Sequence, residues 1–258
     1  MFLARRLIFT LLLFLTSGCA SAELSLLSWN ILHGADDQGR LNLTQKGDFI
    51  ARQSADLVFL QEIDRDCRRS GSEDQMVRLS SLTGMDPGFG SFMSYDGGQY
   101  GLGMLSALPV LSTRAIPLPD GDEPRVALAR EVKVLGRSLL AVCVHFNWIE
   151  DDAARFAQAQ ALLRDLGRSD LPCIVAGDFN DVPQSRTLQA FYAASFRHLE
   201  MPGPSWNARA PSQDIDHILI RSGKGLELIA RGGEVLAETE LSDHRPVAGR
   251  ILCRLASQ

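Results

Sequence analysis

Two kinds of apolar pattern alternate along this chain. Short, nearly unbroken apolar runs at 24–31, 56–63, 101–105, 171–176, 215–220, 226–229 and 245–255 predict strands. The runs 126–134 and 137–146 flank Gly136 and predict a hairpin. Between the strands, 43–54, 74–83, 151–167 and 185–194 space their apolar positions at helical intervals. In the third of these, Ala153, Phe156, Ala157, Leu162, Leu163 and Leu166 form the stripe, and Gly167 marks the stop. Gly/Pro-rich stretches at 84–101, 117–124 and 202–213 predict loops, scattered among the elements and marking no domain boundary. Hairpins mixed with strand–helix units predict an α/β domain with mixed sheets.

The first 22 residues break the pattern. Arg5 and Arg6 precede an apolar stretch, 7–15, too short to span a bilayer, so 1–22 is expected to be an export signal, leaving 23–258 as one domain. Thr16-Ser17-Gly18-Cys19 resembles a lipobox, which would leave a lipidated Cys19 tied to a membrane. Ala20-Ser21-Ala22 is the competing site for ordinary signal peptidase. The mature protein is expected to be a monomer, periplasmic, membrane-anchored or secreted.

Net charge is −5, and losing Arg5 and Arg6 with the signal makes the remainder more acidic still. That lacks the surplus of cations on which non-specific duplex binding relies. Of five cysteines, Cys143, Cys173 and Cys253 sit inside strand-like runs and read as buried thiols. Export makes a bridge between Cys143 and Cys173, expected on neighbouring strands, the alternative. No Cys-x-x-Cys or Cys/His cluster points to zinc.

Polar chemistry gathers where the apolar runs stop. Trp29-Asn30, Gln61-Glu62, His145, Gly177-Asp178-Phe179-Asn180-Asp181, Asp216-His217 and Ser242-Asp243-His244 each stand at a predicted strand end. Singly, each has a plain reading: Asn30 as a turn former, Glu62 as a solvated edge, His145 as a packed core histidine. A calcium loop starting at Asp178 fails because its sixth position holds Pro183, where glycine is needed. An aspartate on the Asp216 strand could bond the His244 ring and fix its tautomer. Together these are hard oxygen donors, amides and imidazoles with no sulfur, a set suited to a hard divalent ion and phosphoryl chemistry.

The segments Ser-Trp-Asn-Ile-Leu-His-Gly (28–34), Leu-Gln-Glu-Ile-Asp (60–64), Tyr-Gly-Leu-Gly-Met-Leu-Ser (100–106), Val-His-Phe-Asn (144–147), Ala-Gly-Asp-Phe-Asn-Asp (176–181), Ile-Asp-His-Ile-Leu (215–219) and Ser-Asp-His-Arg-Pro-Val (242–247), in this order, resemble the endonuclease/exonuclease/phosphatase superfamily. The resemblance covers nearly all of 24–255. It implies an α/β four-layer sandwich, two mixed β-sheets flanked by helices, with the cleft at one end of the sheets. It implies Mg2+, with Mn2+ as the alternative, held by Glu62 with Asn30 and Asp243 beside it. It also implies that Asp178 orients or deprotonates the attacking water, that Asn180 positions it, that His244 paired with Asp216 stabilises developing charge, and that His145 contacts the phosphate from the other side.

The chain departs from the pattern it resembles after His145, where Phe146-Asn147-Trp148 stands in place of the Leu-Asp of many members of that superfamily. Asn147 cannot supply a carboxylate, and Trp148 offers a stacking wall. Arg65, Arg68 and Arg69 could hold a second anion, as could Arg125 and Arg155, against the plain reading of solvated loops. The expected activity is metal-dependent hydrolysis of a phosphoester, a small molecule or lipid head group ahead of nucleic acid. A non-catalytic binding protein on the same fold, and a glycosidase using two of Glu62, Asp178 and Asp243, are the rival readings.

Overall fold

The computed structural model describes residues 20–256. The expected lipidation site, Cys19, and the apolar stretch before it lie outside the described residues.

In chain order the elements are β1 (Ser21–Asn30), α1 (Leu43–Gln53), β2 (Leu57–Arg65), α2 (Gln75–Thr83), β3 (Asp86–Tyr95), β4 (Gly98–Ser106), β5 (Val110–Pro117), β6 (Val126–Val134), β7 (Arg137–His145), α3 (Ala153–Leu166), β8 (Cys173–Asp178), α4 (Arg186–Ala193), β9 (Arg197–His198), β10 (Asp216–Arg221), β11 (Leu226–Val235) and β12 (Val247–Leu255). They form two six-stranded sheets, ordered β11-β12-β1-β2-β4-β3 and β5-β6-β7-β8-β10-β9. Each is mixed: β1/β2 and β7/β8 run parallel and the other pairs antiparallel.

Strand alternation makes the layers. On β7, Leu139, Ala141 and Cys143 enter the core between the sheets, while Leu140, Val142 and Val144 pack toward α3 and α4 with Leu162, Leu166 and Phe191. On β2, Leu57 and Phe59 join the inter-sheet core, and Val58 and Leu60 face the layer holding Ile50 and Leu79 of α1 and α2. The result is the expected four-layer sandwich. Among the described residues no helix is long and apolar enough to cross a membrane.

Alternation also decides the cysteines. Cys143 and Cys173 do lie on neighbouring strands, but Cys143 faces the inter-sheet core and Cys173 the helix layer, so both are free buried thiols.

Three expectations change. The stretch 84–101, expected as a loop, contains all of β3. Its glycines let the strand approach the opposite sheet: a Cβ on Gly88 would lie 2.8 Å from the Arg130 guanidinium, and one on Gly90 3.3 Å from Leu128. Strand β5 was not foreseen, because its side chains are mostly exposed at a sheet edge and show no apolar run. Finally, β2 continues past Glu62 to Arg65, with Gln61 and Glu62 forming a bulge between the pairs Leu60–Gly103 and Ile63–Gly101.

Candidate active site

The parallel pairs β1/β2 and β7/β8 carry their C-terminal ends to the same edge of the sandwich. Asn30 pairs in register with Gln61, His145 with Asp178, and Asp178 with Asp216. The bulge at Glu62, whose φ is +59°, turns this carboxylate out of the strand, while Gln61 stays in the core with its amide 3.2 Å from Cys143 Sγ. A cleft of about 830 Å³ opens there, lined among others by Asn30, Glu62, His145, Asp178, Asn180 and His244.

Asp178 Oδ2 is the centre of the arrangement. Asn30 Nδ2 stands 3.2 Å from it, His145 Nε2 3.6 Å and His244 Nε2 3.7 Å. The two imidazole separations exceed a direct hydrogen bond. The Asn30 amide nitrogen also lies 3.1 Å from Glu62 Oε1 and donates to both carboxylates, while Asn30 Oδ1 accepts from the Leu32 backbone N–H at 3.1 Å. Asp178 Oδ1 accepts from the Asn180 backbone N–H at 2.8 Å, a turn that places Asn180 at φ +51°. The Asn180 side chain donates to Phe146 O at 3.0 Å, leaving its amide oxygen for the cleft.

His244 is held as expected from the sequence. Its Nδ1 meets Asp216 Oδ2 at 2.8 Å, and the same oxygen accepts from Ser205 Oγ at 2.6 Å. Its backbone is fixed too, because His244 O accepts from the Trp29 indole at 2.9 Å and Ser242 Oγ donates to Asn30 O at 2.7 Å.

The charges are unequal. Burial opposes protonation of His244, but Asp216 and Asp178 outweigh it and raise the ring to about 10, so it is an imidazolium at neutral pH. His145 goes the other way: burial, helped by Arg125, holds it well below the ordinary histidine range, and it is neutral. Burial, then the charge of Asp216, pushes Asp178 up to about 7. Burial also disfavours charge on Glu62, yet His33, Asn30 and the charged His244 hold it at about 2, a carboxylate at neutral pH.

The other expected residues separate. Arg125 lines the cleft, almost fully buried, with Nη2 2.9 Å from Glu123 and with Nε and Nη1 unpartnered. Trp148 stands on the rim, 58% exposed. Arg65 is not brought to the cleft: β2 runs on through it, and its guanidinium lies 2.8 Å from Asp74 and 4.2 Å over the Phe89 ring. Arg69 is spent on Asp64, and Arg155 on Asp181 and the carbonyls of Asn147 and Ile149. Asp243 does not line the cleft; its carboxylate lies 3.4 Å from Ser242 Oγ. Ser205 and Trp206 join the site from a segment that gave no sequence signal for it, while Tyr100 and His33 stood unremarked inside the 100–106 and 28–34 motifs.

The family model described as "Endonuclease/Exonuclease/phosphatase family" matches residues 27–244. The chain belongs to this family. It is a metal-dependent hydrolase of the phosphoesterase and nuclease type. Solved structures share the fold. An endonuclease/exonuclease/phosphatase from Beutenbergia cavernae is 22% identical over 91% of this chain and 72% of that one, with a TM-score of 0.76. The human nocturnin catalytic domain with bound sulfate is 21% identical over 89% and 94%, with a TM-score of 0.69. The mannosyl-6-phosphatase of Bacteroides thetaiotaomicron is 18% identical over 88% and 99%, with a TM-score of 0.67.

The residues present fit a divalent ion. Two groupings offer donors. Asp178, Asp216 and His244 place ligand atoms within 4.8 Å of one another, but the short His244–Asp216 bond already occupies two of them. Glu62, ionised and beside the Asn30 amide, is the better holder, and the buried His33 Nδ1 next to it has no hydrogen-bond partner.

Proposed function

We propose that this protein is an exported, magnesium-dependent phosphoesterase that hydrolyses a phosphodiester by attack of an activated water, with a small molecule or lipid head group favoured over nucleic acid. The observation that carries this reading is the set of nitrogens, from Asn30, His145 and His244, converging on Asp178 Oδ2.

In this reading Asp178 takes the proton of the attacking water, and the Asn180 amide oxygen orients that water. His244, charged and locked by Asp216, donates from Nε2 to the oxygen on which charge develops. Neutral His145 donates or accepts on the opposite side, its role set by which nitrogen carries the hydrogen. Arg125 offers its two unpartnered N–H groups to a non-reacting phosphate oxygen. Magnesium, or manganese in its place, would be held by Glu62, with Asn30 and Asp243 beside it, and would offset charge on the phosphate oxygens. A preorganised charged donor at the developing oxyanion is worth about 10²–10³-fold in rate, and a positioned general base about 10²–10⁴-fold.

The small-substrate preference rests on charge. Arg65, Arg69 and Arg155 are each bound to a carboxylate, and Glu123, Glu150 and Asp181 line the cleft, a poor track for a polyanion. The nuclease reading has one observation in its favour, exposed Trp148, on which a base could stack.

Export rests on the 1–22 pattern, and the strand start favours the lipid-anchored form. Cleavage before Cys19 leaves β1 whole, whereas cleavage after Ala22 removes Ser21 and Ala22, which pair with Arg254 and Cys253.

The test is hydrolysis of bis(p-nitrophenyl) phosphate with magnesium, with chelator, and by His244→Ala. Turnover lost in both controls is expected. Turnover that survives the chelator sinks the metal-dependent reading.

A further inference from the structure

Resting on that metal-dependent reading, we infer that His33 gives an imidazole nitrogen to the ion held at Glu62, and that this donor biases the site toward manganese over magnesium.

His33 sits in a tight turn, Leu32–Gly34, where Leu32 and His33 both take left-handed backbone angles, φ +44° and +42°. Side chains with a Cβ rarely adopt that conformation, and two in succession need to be held there. Several backbone groups of the turn are tied down. Leu32 N donates to Asn30 Oδ1 at 3.1 Å, His33 O accepts from Gln75 Nε2 at 2.7 Å, and Gly34 O accepts from Asn42 N at 2.8 Å. Residue 34 must be glycine for Gln75 to reach, since a Cβ there would lie 2.5 Å from Gln75 Nε2. Ala35 O accepts from the buried ammonium of Lys46.

All this restraint fixes the place of one ring. His33 Nδ1 is buried, has no hydrogen-bond partner, and stands 3.7 Å from Glu62 Oε2. That is too long for a hydrogen bond that would merely hold the carboxylate in place. Two adjacent ligands of one ion, each bonded at ~2.1 Å, lie roughly 3 Å apart, which a small turn of either side chain reaches. An imidazole nitrogen bonds first-row transition ions, manganese the most weakly among them, and adds little to the hold on magnesium. Magnesium takes oxygen donors and keeps its waters.

The experiment compares wild type with His33→Asn, chosen because asparagine tolerates the left-handed turn, on the full mature chain stripped of metal. Calorimetry with manganese chloride and with magnesium chloride gives the two affinities. Electron spin-echo spectroscopy of bound manganese reads modulation from a coordinated imidazole nitrogen. The inference expects nitrogen modulation in wild type that is lost in H33N, with manganese binding about tenfold weaker or more and magnesium binding little changed. Modulation that is absent in wild type or persists in H33N, or equal weakening of both ions, overturns it while leaving the metal-dependent reading intact. Binding of neither ion to wild type overturns both. Thermal melts of the two metal-free proteins show whether the turn survives, and H33A repeats the comparison if asparagine itself ligates.

Discussion

His244 Nδ1 lies 2.8 Å from Asp216 Oδ2, and these two residues come from opposite sheets, Asp216 opening β10 in one and His244 preceding β12 in the other. The bond therefore spans the sandwich at its open end and couples the geometry of the cleft to the packing of the sheets.

Asp216→Asn removes most of what keeps His244 charged. We expect kcat to fall about 10²–10⁴-fold. His244 is raised to about 10 against the opposing effect of burial, so activity that needs the imidazolium declines as pH rises through that value. Loss of the Asp216 charge lowers the ring's pKa and moves the alkaline limb of the kcat profile to lower pH. An unmoved limb would show that His244 does not set it.

Lys46 gives a separate pH signature in stability. Burial lowers it to about 7, with Asp243, Asp36 and Glu62 resisting the shift, whereas in the unfolded chain it titrates near about 10.4. Between those values the unfolded chain binds a proton that the folded one does not, so Lys46 makes stability rise with pH across that window. At about 1.4 kcal/mol per pKa unit the contribution amounts to a few kcal/mol. Lys46→Met should flatten the rise, measured as the difference in Tm slope between the two proteins from pH 7 to 10. Parallel slopes would contradict it.

Metal binding should stabilise the fold. Magnesium at a hundredfold excess over its Kd adds about 2.7 kcal/mol, visible as a higher Tm than in chelator. Glu62→Gln should abolish the increment, and an undiminished increment would place the ion elsewhere.

Trp148 is exposed, so Trp148→Ala should leave Tm nearly unchanged. If the ring binds ground state and transition state alike, KM rises for substrates with a stackable group while kcat holds. Steady-state kinetics on an aryl and an alkyl phosphodiester compare the two. Equal effects on both substrates would remove stacking from the account.

The sequence alone determined most of the strand and helix alternation and placed Asn30, Glu62, His145, Asp178 and His244 at strand ends, because both are written in local order, while the layer architecture came from the resemblance its motifs carry. Apolar runs of β7 and β8 stop at His145 and Asp178, and a residue at a strand end is delivered to the sheet edge whatever packs around it. Tertiary structure decided the rest. What an arginine is bonded to depends on its neighbours: Arg65, Arg69, Arg155 and Arg125 each met a carboxylate, and Arg125 also lines the cleft with its Nε and Nη1 buried and unpartnered. Strand β3 was hidden because its glycines answer to Arg130 and Leu128 of the facing sheet and not to any local preference. The same holds for His33: its motif was legible, but only a turn pinned by Gln75, Asn42 and Lys46, three residues distant in the chain or on another element, brings its ring beside Glu62. Periodicity places a backbone, while contacts between separate segments set the charge state and the free bonding capacity on which the chemistry depends.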